Sequence, residues 1–181
     1  MSSYASDPRF PGPDPYAPLR DLPSFPLRSY DFADGDKIPE QHVAPSNISP
    51  HLAWSDLPEG TKSIAITVFD PDAPTASGYW HWAAFNIPTT VTELPTGAGA
   101  ADQKLLGLDD VITLKGDSSL RGYYGPQPPA GHGPHRYLFA VHAVDVEKLD
   151  IPEEATATVL GFNLYYHSLA RAVYWGWYQN D

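Results

Sequence analysis

Two carboxylates alternate with two prolines in the run Asp70-Pro71-Asp72-Ala73-Pro74, and two histidines, His81 and His135, lie in segments far apart along the chain. Proline holds φ near about −65° and restrains the residue before it, so this loop aims its acids before any ligand arrives. An imidazole oriented by a carboxylate can serve as a general base, as a metal ligand or as a donor to a bound anion. The three uses differ in what else they need. A metal site built from His81, His135 and Asp70 finds no support in His-x-His or HExxH spacing. Nucleophilic catalysis finds no Gly-x-Ser-x-Gly elbow, and the serine nearest the acidic loop is Ser77. Binding of a small ligand is the favoured use, with hydrolysis of an ester or phosphoester by water activated on Asp70, His81 or His135 as the alternative.

Strands must carry these groups. Residues 63–69 alternate Ile64, Ile66 and Val68 with Ala65, Thr67 and Phe69, both sets largely apolar, which predicts a central strand covered on both faces and ending at Asp70. A second strand is predicted over 79–87, where period-two parity puts Tyr79, His81, Ala83 and Phe85 on one face and Trp80, Trp82, Ala84 and Asn86 on the other. A third, over 135–144, sets His135, Tyr137 and Phe139 opposite Arg136, Leu138 and Ala140. Arg136 thus points away from the histidines and is expected to pair with a carboxylate inside the fold.

Elsewhere, short strands broken by turns are expected over 25–54, and 94–134 reads as loop except near 110–114. Such a long irregular tract usually builds a site or is mobile. Pro152, Glu153 and Glu154 suit the start of a helix, and Val159, Phe162, Tyr166, Leu169 and Val173 continue it at helical spacing, with a break expected at Gly161. Residues 175–178 read as a terminal strand or cap. Residues 1–23 carry Pro8, Pro11, Pro13, Pro15, Pro18 and Pro23, which predicts an extended or partly disordered arm rather than a helix, still able to dock on the surface. One domain is expected over 24–181.

Composition excludes several classes. The chain has 181 residues, 22 acidic and 11 basic, for a formal charge of −11, and its Lys and Arg are scattered. Nucleic acids and anionic membrane surfaces need a basic stripe and are poor partners. There is no cysteine, so disulfides, thiolate zinc sites and a cysteine nucleophile are ruled out. No apolar run approaches the roughly 18 residues of a membrane-spanning helix, and 1–28 lacks a signal-type apolar segment, so integral membrane association is not expected and a cytoplasmic location is. No cofactor is expected.

Each motif also has a plain structural reading. Asp70 and Asp72 could simply bond nearby backbone N–H groups in a turn. His42, His51, His132 and His142 read as surface or structural residues, and His167, four residues before Arg171, as a packing or capping residue. The run Tyr123-Tyr124-Gly125-Pro126-Gln127-Pro128-Pro129 could be a polyproline segment docking a protein partner, or the rigid wall of a pocket.

Taken together these motifs resemble the phosphatidylethanolamine-binding protein family, most closely its bacterial, Raf-kinase-inhibitor-like branch. The resemblance rests on Ser49-Pro50 through Trp54, the Asp70 to Pro74 run, Trp80-His81-Trp82 through Asn86-Ile87-Pro88, residues 122–129 and His135-Arg136-Tyr137. It implies a mainly β fold, a large antiparallel sheet packed on a smaller one with C-terminal helices. It also implies a small pocket that accepts phosphate-like and carboxylate groups, including zwitterionic phosphoethanolamine-like head groups. Carried over by motif, that pocket is Asp70, Ala73, Pro74, Tyr79, His81, Gly125, Pro128, His135 and Tyr137. Backbone N–H groups of its glycine-bearing loop are expected to join the histidines as donors. A non-enzymatic role is implied, in which occupancy regulates a protein partner such as a kinase or protease. Gln127 and Tyr124 depart from the small residues usual there and are expected to narrow the mouth. A homodimer is compatible with the aromatic load, which includes Trp175 and Trp177.

Overall fold

The computed structural model describes residues 3–181. Its frame is a five-stranded antiparallel sheet, in the order β6 (Ile112–Thr113), β4 (Tyr79–Pro88), β3 (Ser63–Asp70), β7 (His135–Val144), β8 (Ser168–Tyr178). A smaller antiparallel sheet pairs β1 (Leu27–Arg28), β2 (Leu52–Trp54) and β5 (Glu93–Leu94). The helices are α1 (Ser3–Ser6) and α2 (Ala157–His167). The main core joins Leu52, Trp54, Ile66, Val68, Trp82 and Phe139. A second cluster packs Leu160 and Leu164 of α2 on Ala65, Ala83 and Phe85 of the other face. Strands β3 and β7 are apolar on both faces because both faces are covered.

The pairing of β3 with β4 breaks strict parity twice, and one break serves the site. Val68 faces Trp82 and Phe69 faces Trp80, so His81 is an extra residue with no Cα partner of its own on β3. Trp80 therefore joins the α2 side with Ala83 and Phe85, while His81 and Tyr79 turn to the side of Tyr137. The alternation expected from the sequence, which put His81 with Ala83 and Phe85, is corrected here: a residue inserted into a pleated strand reverses every face beyond it. The second shift lies between Ile64 and Ile66, opposite Asn86 at φ 63, whose Oδ1 accepts from the Leu149 N–H at 2.8 Å.

The C-terminal segment also differs from expectation. The helix begins at Ala157, capped by the Thr156 side chain, which accepts from the Val159 N–H at 3.3 Å; Pro152, Glu153 and Glu154 precede it in a turn. It ends at His167, and residues 168–178 form an eleven-residue strand pairing all along β7. Leu169 and Val173 fit a helical spacing, but the unpaired edge of β7 offers a full ladder of backbone bonds, and the β-branched and aromatic residues of this segment suit a strand. A single helix therefore stands where helices were expected to continue. His167 pairs with Asp145 at 2.8 Å, and Arg171 lies on β8 rather than one turn along the helix.

The proline-rich arm packs down. Ser3–Ser6 form a helical turn, against the expectation of no helix, and Tyr4 and Phe10 are buried with Leu138 and Trp175. Phe10 meets Trp175 edge to face at 5.7 Å. The outer face of β7 and β8 carries apolar side chains that need a cover, and the arm supplies one.

Candidate functional site

At the ends of β3, β4 and β7 a cavity of about 290 Å³ opens between the Asp70 loop and the wall formed by Tyr124, Gln127, Pro128 and Pro129. Asp70, Ala73, Pro74, Tyr79, His81, Pro128, His135 and Tyr137 all line it. Gly125 does not. Its N–H is taken by the Asn47 side chain at 2.8 Å, and it lies flat on the backbone of residues 42–44 behind the wall. The expected contribution of a glycine-loop N–H to an anion is therefore corrected, for this donor is already used.

Gly125 matters for another reason. A Cβ there would run into the His42 carbonyl oxygen and lie 2.8 Å from the Val43 carbonyl carbon, both backbone atoms that cannot swing aside. Gly125→Ala should cost about 1–3 kcal/mol by forcing the two segments apart. Urea denaturation reads that loss, and an unchanged midpoint would count against the close packing.

The two carboxylates of the acidic loop, on either side of Pro71, take different partners. Asp70, almost wholly buried, accepts the Asp72 N–H at 2.8 Å through Oδ1 and His135 Nδ1 at 2.7 Å through Oδ2. Its turn role and its site role thus coexist, and neither oxygen is left free for a ligand ammonium. Asp72 points the other way and holds Arg136 in a two-pronged pair, with Nε to Oδ2 and Nη2 to Oδ1 both at 2.8 Å. Arg136 is thereby the buried, carboxylate-paired guanidinium that strand parity implied.

Acceptors facing Nδ1 place a proton on that nitrogen in both histidines. His81 Nδ1 lies 2.7 Å from the Tyr124 carbonyl oxygen, an acceptor, so Nδ1 carries the proton and a neutral His81 presents a lone pair at Nε2. Burial pushes the His81 pKa down, against the pull of that carbonyl and of Asp70, which favours the neutral ring at pH 7. His135 donates from Nδ1 to the Asp70 carboxylate, which turns Nε2 away from the acid.

That nitrogen already has a partner. His132 Nδ1 lies 2.7 Å from His135 Nε2, which puts His132 at the outer end of a chain running His132, His135, Asp70. The sequence reading treated His132 as surface or structural; it is exposed, yet it belongs to the site. Its place three residues before His135 was the available signal. His132 sits between Gly131 at φ 73 and Gly133 at φ 94, backbone conformations natural to glycine, and a Cβ on either would meet nothing within 4 Å. The residue is held by its ring and by its own N–H, which donates to the Pro129 carbonyl at 3.1 Å.

Aromatic side chains set the remaining walls. Tyr79 and Tyr137 flank His81 with ring centroids at 4.8 and 5.2 Å. Burial pushes both phenols above their usual pKa, so both remain O–H groups able to donate to an anion. Across the rim the Tyr124 hydroxyl donates to Gln127 Oε1 at 2.6 Å, joining the two residues expected to narrow the mouth. His42, His51 and His142 lie outside this cavity: His42 is bonded to the Ile48 carbonyl, His51 is stacked on Tyr30, and His142 is bonded to Ser168. Among the described residues no group of three or more His, Asp or Glu is arranged to hold a metal ion.

Comparison with known proteins adds an independent line. The sequence model described as phosphatidylethanolamine-binding protein matches residues 28–179. The UPF0098 protein YbhB of Escherichia coli K12 is 47% identical over 153 residues, spanning 81% of this chain and 94% of that protein. The crystal structure of E. coli YbcL, described as a new member of the mammalian PEBP family, superposes with a TM-score of 0.82 at 38% identity, covering 87% of this chain and 99% of YbcL. The Chlamydia trachomatis homologue CT736 superposes with a TM-score of 0.73 at 29% identity, covering 87% of this chain and 99% of its own.

Proposed function

The chain belongs to the phosphatidylethanolamine-binding protein family, and from that premise we propose that the cavity between His81 and His135 binds a small phosphate- or carboxylate-bearing ligand without turning it over. The observation that carries this reading is the His81 ring, fixed through Nδ1 and set among donors. Neutral His81 offers an acceptor at Nε2, while the Tyr79 and Tyr137 hydroxyls offer donors. A ligand matching that pattern brings both lone pairs and a proton: a phosphate monoanion, or a phosphoethanolamine whose ammonium supplies the hydrogen. A bare dianion lacks the proton that His81 Nε2 accepts.

The net charge of −11 opposes anions at a distance, yet salt screens that field within about 8–10 Å while the cavity donors act at contact. Hydrogen bonds to charged groups contribute about 1.5–3 kcal/mol each, which places capture in the micromolar to millimolar range. The ligand displaces His132 from His135 Nε2, a movement its two flanking glycines permit. Control of a protein partner, a kinase or a protease, belongs to the same proposal on family membership alone.

Calorimetric titration of inorganic phosphate and phosphoethanolamine tests the reading. Affinity should fall at least tenfold in His81→Ala and in His135→Ala, and should rise from pH 8 to pH 6 as the monoanion becomes available. Affinity unchanged in both variants removes the assignment. The His135–Asp70 pair also has the form of a general base, so a panel of phosphoesters and esters is run alongside; turnover lost in the same two variants would assign a hydrolase instead.

A further inference from the structure

On the opposite face of the large sheet lies a second, larger cavity of about 550 Å³, with a floor including Thr67 and Phe69 of β3, Trp80 of β4, His142 of β7 and Arg171 of β8. Helix α2 makes one wall and residues 15–22 of the proline-rich arm make the other. The arm precedes the region that the family model matches, which starts at residue 28, so this cavity has a wall the family frame does not contain.

Its lining is largely apolar and aromatic, with Thr67, His142 and Thr158 as uncharged polar members, and two guanidinium groups enter it, those of Arg20 and Arg171. Arg20 donates to the Ser168 carbonyl at 2.8 Å and lies over Tyr165. Arg171 stacks on Tyr16, 4.3 Å from the ring centroid, and among the described residues no carboxylate forms an ion pair with either arginine. In a chain with twice as many acids as bases, two arginines without a carboxylate beside an apolar cavity are a local reversal of charge. Each guanidinium has a planar fork suited to a carboxylate.

Gly161 is the second observation. It lines the cavity from within α2, where glycine costs about 1 kcal/mol relative to alanine, and a Cβ added there would meet nothing within 4 Å. No neighbour requires the missing side chain; its absence keeps the space open. The volume lies within the ordinary range for small-molecule sites, about 300–1,000 Å³.

We propose that this cavity is a second ligand site, for an anionic amphiphile with an apolar body on Phe69 and Trp80 and a carboxylate between Arg20 and Arg171. The ligand braces the arm against α2 by filling the space between them. It is chemically distinct from the His81 site, which is smaller and takes a compact polar group.

Dodecanoate, titrated below its micellar concentration and followed by calorimetry, is the probe. Expected are saturable one-to-one binding by the wild type, at least tenfold weaker binding of the uncharged dodecanol, and at least tenfold weaker dodecanoate binding in Arg171→Met. Gly161→Leu fills the cavity from a helical position with open space around it, so it should abolish binding while leaving the urea midpoint unchanged or raised. That variant keeps the test decisive if Arg171→Met proves unstable. Excess inorganic phosphate should leave dodecanoate affinity unchanged. The proposal is overturned if the wild type shows no saturable binding, if dodecanol binds as well as dodecanoate, if Gly161→Leu binds as tightly as wild type, or if phosphate displaces the probe. Self-association that dodecanoate leaves intact and Phe162→Ser abolishes would give this face to a second copy of the chain, and would overturn it as well.

Discussion

Arg136→Ala should lower the unfolding free energy by about 3–5 kcal/mol, the cost of leaving one member of a buried ion pair without its partner. The Arg136 side chain is 0% exposed and its Asp72 partner 13%. Asp72 also accepts the Arg136 backbone N–H at 2.9 Å, so the acid ties the 70–74 loop to the start of β7 through three bonds. The same guanidinium donates to the Tyr4 carbonyl at 3.0 Å and lies over the Phe10 ring, which fastens the arm to the sheet. Loss of the side chain should therefore show twice. Urea unfolding reads the stability, and trypsin cleavage after Arg9, next to buried Phe10, reads release of the arm. Arg136→Lys should recover little, because a single ammonium cannot reproduce the fork. A midpoint within about 0.5 kcal/mol of wild type, the scatter of ordinary surface substitutions, would show that the pair contributes nothing net.

Acidification should destabilise the protein well above the pH at which carboxylates protonate. Burial lowers the pKa of His81, and burial with the nearby Arg171 charge lowers that of His142 to about 3. In the unfolded chain each histidine titrates near about 6.5. Between those limits the unfolded state binds protons that the folded state refuses, so their contribution is complete above pH 6.5 and is lost as pH falls toward the folded values. The slope is up to about 1.4 kcal/mol per pH unit for each ring. Urea denaturation at pH 7.5, 6 and 5 should show a steady decline, and His142→Asn should flatten it by one proton while starting from a lower stability. A flat profile across that range would mean that one or both rings become protonated inside the fold.

How far the site could be read in advance depended on how local each determinant is. The strands carrying Asp70, His81 and His135 were legible because a pleated backbone alternates its side chains whatever surrounds it, and the apolar runs were long. Arg136 was placed correctly by the same parity. His81 was assigned correctly beside Tyr79 but for an incomplete reason, since the inserted residue that turns both toward Tyr137 arises only when β4 is paired against β3. Gly125 was assigned to the cavity by motif and instead supports the wall from behind, a distinction that depends on backbone far away in sequence. His132 escaped notice because its spacing from His135 does not by itself imply a contact; only its ring partner in the folded chain identifies it.

What the amino-acid order determined alone was whatever short-range sterics and pattern dictate: the proline-stiffened acids, the apolar strands, the turn glycines, and the exclusion of thiol chemistry. What only tertiary structure decided was which groups share a partner. The separate partners of Asp70 and Asp72, the His135–Asp70 pair, the strand at 168–178 and the seat of the N-terminal arm all arise from contacts between residues tens of positions apart. The physical reason is that a buried donor, acceptor or apolar face must find a mate somewhere, and the folded chain, not the neighbouring residue, determines which mates are within reach.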